Sequence, residues 1–326
     1  MKKIILLFVL SVSIFSCQKE GKKGEKHLPK SAGTINHFTI VTSNRFWKGE
    51  VGDVLRKVFA TPVYGLPQIE PMFTLKQMEP KAFHQFVKKS RTFIQVEQND
   101  TLSGIRFIKD LHATPQTGIL VRGKNIGEIK ALLLNNATKM RNTIKAVELA
   151  EKQRQIRKSP RDTKEIQETF GVDLDVLFSY RTAKKTKDFM WLRKDIKNGD
   201  LNLLIYQLPY NYIKRDSLTI QNIVKMRDSI GKAYIPGEVE GSYMITENKF
   251  SPFVTNTNIA KLPAIETRGV WDVKGDFMAG PFINYIVDDK VHNRLLVLEG
   301  FVYYPNSQKR DYVFELEAII RSLKVK

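Results

Sequence analysis

Residues 37–42 (HFTIVT) alternate apolar and polar side chains with the period of a half-buried strand, and Val51, Val54, Leu55 and Val58 then fall on one face of a helix. The Pro- and Gly-containing stretch 61–71 (TPVYGLPQIEP) ends that helix. Residues 73–78 read as a strand. Pro80, suited to a first helical position, opens a short helix carrying Phe83, Phe86 and Val87. Residues 93–97 and 105–108 read as paired strands, with 118–121 as another. From 125 the pattern turns helical: Asn125 and Glu128 have capping-box spacing, and Ile126, Ile129, Leu133, Ala137, Met140, Ile144 and Val147 keep an i, i+3/i+4 rhythm. The remainder to Arg157 is highly charged, and Ser159-Pro160 stops it. A single helix over this range would be about 50 Å long, so its charged end is expected to project or to bridge to the second half.

The second half reads as strand-rich. Residues 177–181 and 189–194 are strand candidates, Asn198-Gly199-Asp200 supplies a tight turn, and 201–208 (LNLLIYQL) completes a hairpin. Residues 217–230 align Ile220, Ile223, Met226 and Ile230 on one helical face, with Gly231 as a suitable cap. Strands follow around 282–287 and 294–304, and a helix with Tyr312, Leu316, Ile319 and Leu323 closes the chain. Strands in runs with helices beside them predict an α+β fold. The expectation is two mainly antiparallel sheet units, 34–160 and 165–326, with helices packed on one face and one long amphipathic helix ending the first half.

The start of the chain has a different pattern. Lys2 and Lys3 precede an apolar run, residues 4–15, and Ser16 is a small residue before Cys17, the single cysteine. This is the layout of a signal peptide (1–16) cut before a cysteine that is then acylated. Phe15 departs from the usual pattern before such a cysteine. The run is shorter than the ~20 residues of a membrane-spanning helix, which favours an anchor. Residues 17–33 are polar and aperiodic, as expected of a lipidated tether. With Cys17 acylated, no thiol remains for a disulfide, a metal or catalysis.

Charge adds one feature. The formal net charge is +19, and residues 76–158 hold 17 Lys/Arg against 7 Asp/Glu. A basic surface can address nucleic acid, an anionic membrane face or acidic glycans. An envelope protein without an Arg–aromatic ladder makes nucleic acid the unexpected partner.

Several clusters are dense in Gly, Trp, Arg and Asp: residues 243–247 (YMITE), 266–271 (ETRGVW), 275–282 (GDFMAGPF), 300–305 (GFVYYP) and 309–312 (KRDY), with 47–53 (WKGEVGD) and 65–68 (GLPQ) in the first half. Together they resemble the envelope lipoprotein family catalogued as domain of unknown function 4837, over nearly the whole chain. The resemblance implies a bacterial outer-envelope lipoprotein, and it brings no assigned activity and no catalytic residues.

Chemical motifs are sparse. His27, His37, His84, His112 and His292 are scattered, so no metal site or cofactor is expected. No nucleophile elbow, dinucleotide or phosphate loop occurs. Ser229 and Lys232 match a Ser-x-x-Lys pattern, but its companion Lys-Thr-Gly is absent. Carboxylate pairs occur at Asp173/Asp175, Asp272/Asp276 and Asp288/Asp289, the last reading as a hairpin turn with Lys290. Arg268, Trp271, Asp272, Asp276 and Arg310 form the candidate binding surface, because Arg and Trp are the residues that interface hot spots use. The reading is a protein anchored to the outer membrane through Cys17 that recognises an envelope partner. Two alternatives stand beside it: a hydrolase of envelope glycans or lipids using Asp272 and Asp276, and an electrostatic binder of acidic polysaccharide or anionic lipid.

Overall fold

The computed structural model describes residues 27–216 and 219–325, so Cys17, the apolar start and much of the tether lie outside the described residues. The first sheet is built from β1 (His37–Val41), β2 (Thr74–Met78), β3 (Thr92–Gln98), β4 (Gly104–Lys109) and β5 (Thr117–Gly123). Its order is β2-β1-β3-β5-β4. The helices α1 (Asn44–Lys48) and α2 (Glu50–Phe59) carry the chain from β1 across to β2, as parallel neighbours require. The predicted face of α2 is buried: Val51, Val54, Leu55 and Val58 pack with Phe38, Ile40, Ile94 and Ile119 of the sheet. The opposite face is closed by Val41, Phe83 and Phe93 beneath two short 3-10 turns, Pro80–Ala82 and Gln85–Lys89.

Three expectations for this half need correction. Its pairings are mainly parallel, β1 with β2 and β3 and β3 with β5, while β4 alone runs antiparallel, to β5. The segments 93–97 and 105–108 are not partners, because β5 lies between them. Alternation reports which face a residue occupies and says nothing of the neighbouring strand. Finally, the long helix is two helices, α3 (Ile126–Asn135) and α4 (Ala137–Ile156), meeting at Asn136. There the Asn136 side chain and its own backbone N–H both donate to Leu132 O, the local competition that disfavours Asn inside helices. Met140 and Ile144 of α4 pack into the same core as Ile129 and Leu133 of α3.

The second half opens with α5 (Lys164–Phe170) and β6 (Val172–Asp173), followed by β7 (Arg181–Lys185), β8 (Phe189–Ile196), β9 (Gly199–Pro209) and α6 (Thr219–Tyr234). Then come β10 (Tyr243–Thr246), β11 (Phe253–Ile259), β12 (Leu262–Lys274), β13 (Ala279–Asp289), β14 (Arg294–Tyr303), α7 (Arg310–Ile320) and β15 (Lys324–Val325). The eight-stranded sheet is antiparallel throughout, with order β10-β12-β13-β14-β9-β8-β7, and β11 shares β12 with β10. Antiparallel pairing therefore dominates the chain, and the fold is α+β.

Helices cover both faces of this sheet, contrary to the one-face expectation. α7 packs on one side through Val313, Leu316, Ile319 and Ile320, and α6 on the other through Ile223 and Met226. The near-continuous apolar runs of β9, β13 and β14 fit strands covered on both faces. Residues 177–180 precede β7 and are not strand. Gly231 is interior to α6, where a Cβ would come 2.0 Å from Met244 O, so its missing side chain lets the helix lie against β10.

Candidate functional site

The charged end of α4 does bridge to the second unit, where it runs beside α7. Lys145 Nζ meets Glu317 Oε1 at 2.7 Å and Lys152 Nζ meets Glu315 Oε2 at 2.7 Å. Gln153 Nε2 donates to Ala318 O at 3.0 Å. Packed between sheet and α4, α7 is buried at every position from Val313 to Ile320.

The start of α7 is held by the first unit. It has no side-chain cap of its own, and the buried Glu70 carboxylate accepts from Lys309 N (2.7 Å) and Arg310 N (3.0 Å). A carboxylate there satisfies two otherwise orphaned donors and lies at the positive end of the helix dipole. Arg310 reaches back to Pro71 O (3.0 Å) and Thr74 Oγ1 (3.1 Å), and Asn36 Nδ2 donates to Asp311 Oδ1 (3.0 Å).

Between these two locks a cavity of about 200 Å³ opens toward solvent. Its walls are Val63, Met72, Phe73, Val313 and Phe314. Its lip is Tyr64 of the 61–71 loop stacked on Phe253 of β11, ring centroids 4.5 Å apart, with the two side chains 59% and 49% exposed. The loop reaches this position because Gly65 adopts φ +80 directly against β12.

The floor is charged and compensated. Arg268 donates to Glu266 Oε1 (2.5 Å) and Glu317 Oε2 (2.8 Å), while Arg321 donates to Glu317 Oε1 (3.0 Å) and Glu266 Oε2 (3.0 Å). Tyr285 Oη donates to Glu266 Oε2 at 2.7 Å. Burial by itself would raise the Glu317 carboxyl, but Arg268, Lys145 and Arg321 outweigh it and hold it well below the usual carboxylate range. Burial and the Glu317 charge push the Tyr285 hydroxyl well above its ordinary value. The carboxylates stay ionised and the phenol stays protonated, so the floor offers fixed charge and no group poised for proton transfer near neutrality.

The five predicted surface residues do not form one surface. Arg268 and Arg310 line the cleft. Trp271 lies three residues beyond Arg268 on the same strand, an odd interval that sends it to the opposite face. There it is 2% exposed, packs edge-on to Phe301 and donates Nε1–H to Val302 O at 3.2 Å. Asp272 accepts from Val273 N (2.8 Å); Asp276 accepts from Phe277 N (2.7 Å) and Glu238 N (3.2 Å). These are turn and strand-end aspartates engaged with backbone N–H groups. Asp288 and Asp289 end β13 as buried ion-pair partners of Arg215 and Arg294, and the turn begins after them. Among the described residues no group of three or more His, Cys, Asp or Glu is placed to hold a metal ion.

Glu70, Tyr64, Lys145, Phe253 and Glu317 were missed from sequence. One signal was available: residues 313–320 (VFELEAII) are apolar around the whole helix except for two glutamates, the signature of a buried helix whose charges need partners.

The fold and the cleft thus define a two-unit α+β protein whose units are joined by buried ion pairs and share an aromatic-lipped cavity. The chain belongs to the family defined by the domain of unknown function DUF4837, whose model matches residues 159–322, half of its length. A second model, the domain of unknown function DUF8532, matches residues 31–157. The whole-chain resemblance is corrected accordingly, since the first unit is matched by a different family. Comparison with curated proteins finds no match.

Proposed function

We propose that the protein is an envelope lipoprotein, held at the outer membrane through acylated Cys17, that binds a protein partner at the cleft between its two units. The observation that carries this reading is the half-exposed Tyr64–Phe253 stack, contributed by both units, over a cavity with apolar walls and a charge-compensated floor. At about 200 Å³ the cavity is smaller than the ~300–1,000 Å³ of pockets that enclose drug-sized ligands. It suits one or two side chains of a larger partner, as a hot-spot pocket does. The compensated floor favours binding over catalysis, and the backbone-bonded Asp272 and Asp276 give no support to a hydrolase.

A photo-crosslinking residue placed at Tyr64 in cells tests the cleft. Adducts are expected at this position, absent from a control at exposed Val291, and abolished by Phe253→Asp in a protein that still folds. Adducts indifferent to Phe253→Asp would refute the cleft as the recognition site. Mass spectrometry of the mature N-terminus tests the anchor, and an unacylated Cys17 would overturn it.

A further inference from the structure

We propose that the end of the first unit where the described chain begins is a membrane-facing surface that rests on anionic lipid headgroups, with Phe86 and Leu111 entering the interface. Residues 29–32 are stitched there between two segments. Ala32 N donates to Lys89 O (2.8 Å) and Arg91 N to Ala32 O (2.8 Å) on one side. On the other, Ser31 N donates to Thr114 O (3.1 Å) and Thr114 N to Pro29 O (2.9 Å). The same two segments carry large apolar side chains into solvent, Phe86 at 71% exposure and Leu111 at 44%.

Around them the charge is positive. Lys30 and Lys109 are exposed, Lys88 and Lys89 are half-exposed, and Lys89 Nζ lies 5.8 Å from the Phe86 ring centroid. The acids of the two segments are engaged with backbone: Glu79 accepts from Asn44 N (2.6 Å) and Asp110 from Gln116 N (2.7 Å). Exposed aromatic and aliphatic side chains beside lysines are what an anionic membrane interface selects.

Position supplies the occupant. His27 lies ten residues after Cys17, and a chain of that length spans at most about 35 Å. An anchor at Cys17 therefore keeps this end of the body nearest the bilayer. In this respect the proposal rests on the anchor reading, but the surface can be tested without it.

The mature chain, produced unacylated, is sedimented with vesicles of phosphatidylcholine alone or mixed with phosphatidylglycerol. Binding is expected to the mixed vesicles only and to fall steeply as salt rises. Lys88→Ser/Lys89→Ser/Lys109→Ser should weaken it on the order of a hundredfold at low salt. Phe86→Ser/Leu111→Ser should weaken it on the order of tenfold. A control triple on exposed lysines of the second unit, Lys187→Ser/Lys249→Ser/Lys290→Ser, should change little. Equal losses in both triples, equal binding to neutral vesicles, or indifference to the Phe86/Leu111 pair would each overturn the proposal. Because the N-terminal mass measurement reports the anchor separately, failure of one reading is distinguishable from failure of the other.

Discussion

Replacing Glu70 by Ala should loosen the start of α7 although the residue belongs to the other unit. Both of its carboxylate oxygens accept backbone N–H groups, from Lys309 and Arg310, and the side chain is almost wholly buried. Leaving a buried donor unsatisfied costs about 1–3 kcal/mol, and losing a helix cap typically costs about 1 kcal/mol. Water can enter as the alanine leaves space, so a total of about 2–4 kcal/mol is expected. Glu70→Gln should lose roughly half as much, since an amide oxygen serves one N–H while its NH₂ group faces the other donor. Urea unfolding followed by far-UV circular dichroism gives the stability change, and amide hydrogen exchange at Lys309 and Arg310 gives its location. A local loss of 2 kcal/mol corresponds to about thirtyfold faster exchange. Unchanged exchange at these amides, or a loss below about 0.5 kcal/mol, would refute an inter-unit cap.

Two further outcomes are expected. Gly65→Ala combines a positive φ with a Cβ that would come 2.8 Å from Gly269 N, so the loop must lift from β12; a loss above about 1 kcal/mol in urea midpoint measurements and a more exposed Tyr64 should follow. Glu266, Glu315 and Glu317 all have carboxyls held below their ordinary values, by cations that outweigh the opposing effect of burial. Their contribution to stability is therefore complete above the unfolded carboxyl pKa of about 4.3 and is lost as pH falls below it through the folded values. Glu317→Gln should flatten this acid-side slope while lowering stability at neutral pH by about 1–3 kcal/mol, because Lys145 loses its counter-charge and Arg268 and Arg321 are left to share Glu266. Urea midpoints measured across the acid range check both.

Side-chain alternation and helical rhythm were legible wherever one element meets one core: β1, α2, β3 and β9 lie where their patterns put them. Strand partnership was not, because the same alternation serves a parallel or an antiparallel neighbour. The 243–274 region shows a different gap. Its Arg268, Gly269 and Trp271 read as a chemical cluster, when they are neighbouring positions of β12 whose period of two separates Arg268 from Trp271. Arg268 and Arg310 were singled out and do line the cleft. Their acidic partners were not, since Glu266 is adjacent in sequence but Glu317 and Glu70 come from other elements, and only the folded chain brings them within bonding distance.

The two family models divide the chain just after α4, yet ion pairs and a helix cap cross that division. A second unit without α4 would expose Glu315 to the loss of Lys152 and Glu317 to the loss of Lys145, and without the 61–71 loop α7 would start uncapped. Glu315 would keep Lys194, and Glu317 would keep Arg268 and Arg321, so each lost lysine contact costs about 1–3 kcal/mol. The contacts together are still a sizeable fraction of the roughly 5–15 kcal/mol that stabilises a typical domain. Sequence families that are separable in statistics are therefore not separable in energy here. The cleft depends on the same coupling: Tyr64 meets Phe253 only while Gly65 rests on β12 and Glu70 holds α7. A recognition surface made this way exists only when both units are folded and docked, so any loss of the inter-unit lock removes the partner site along with the stability.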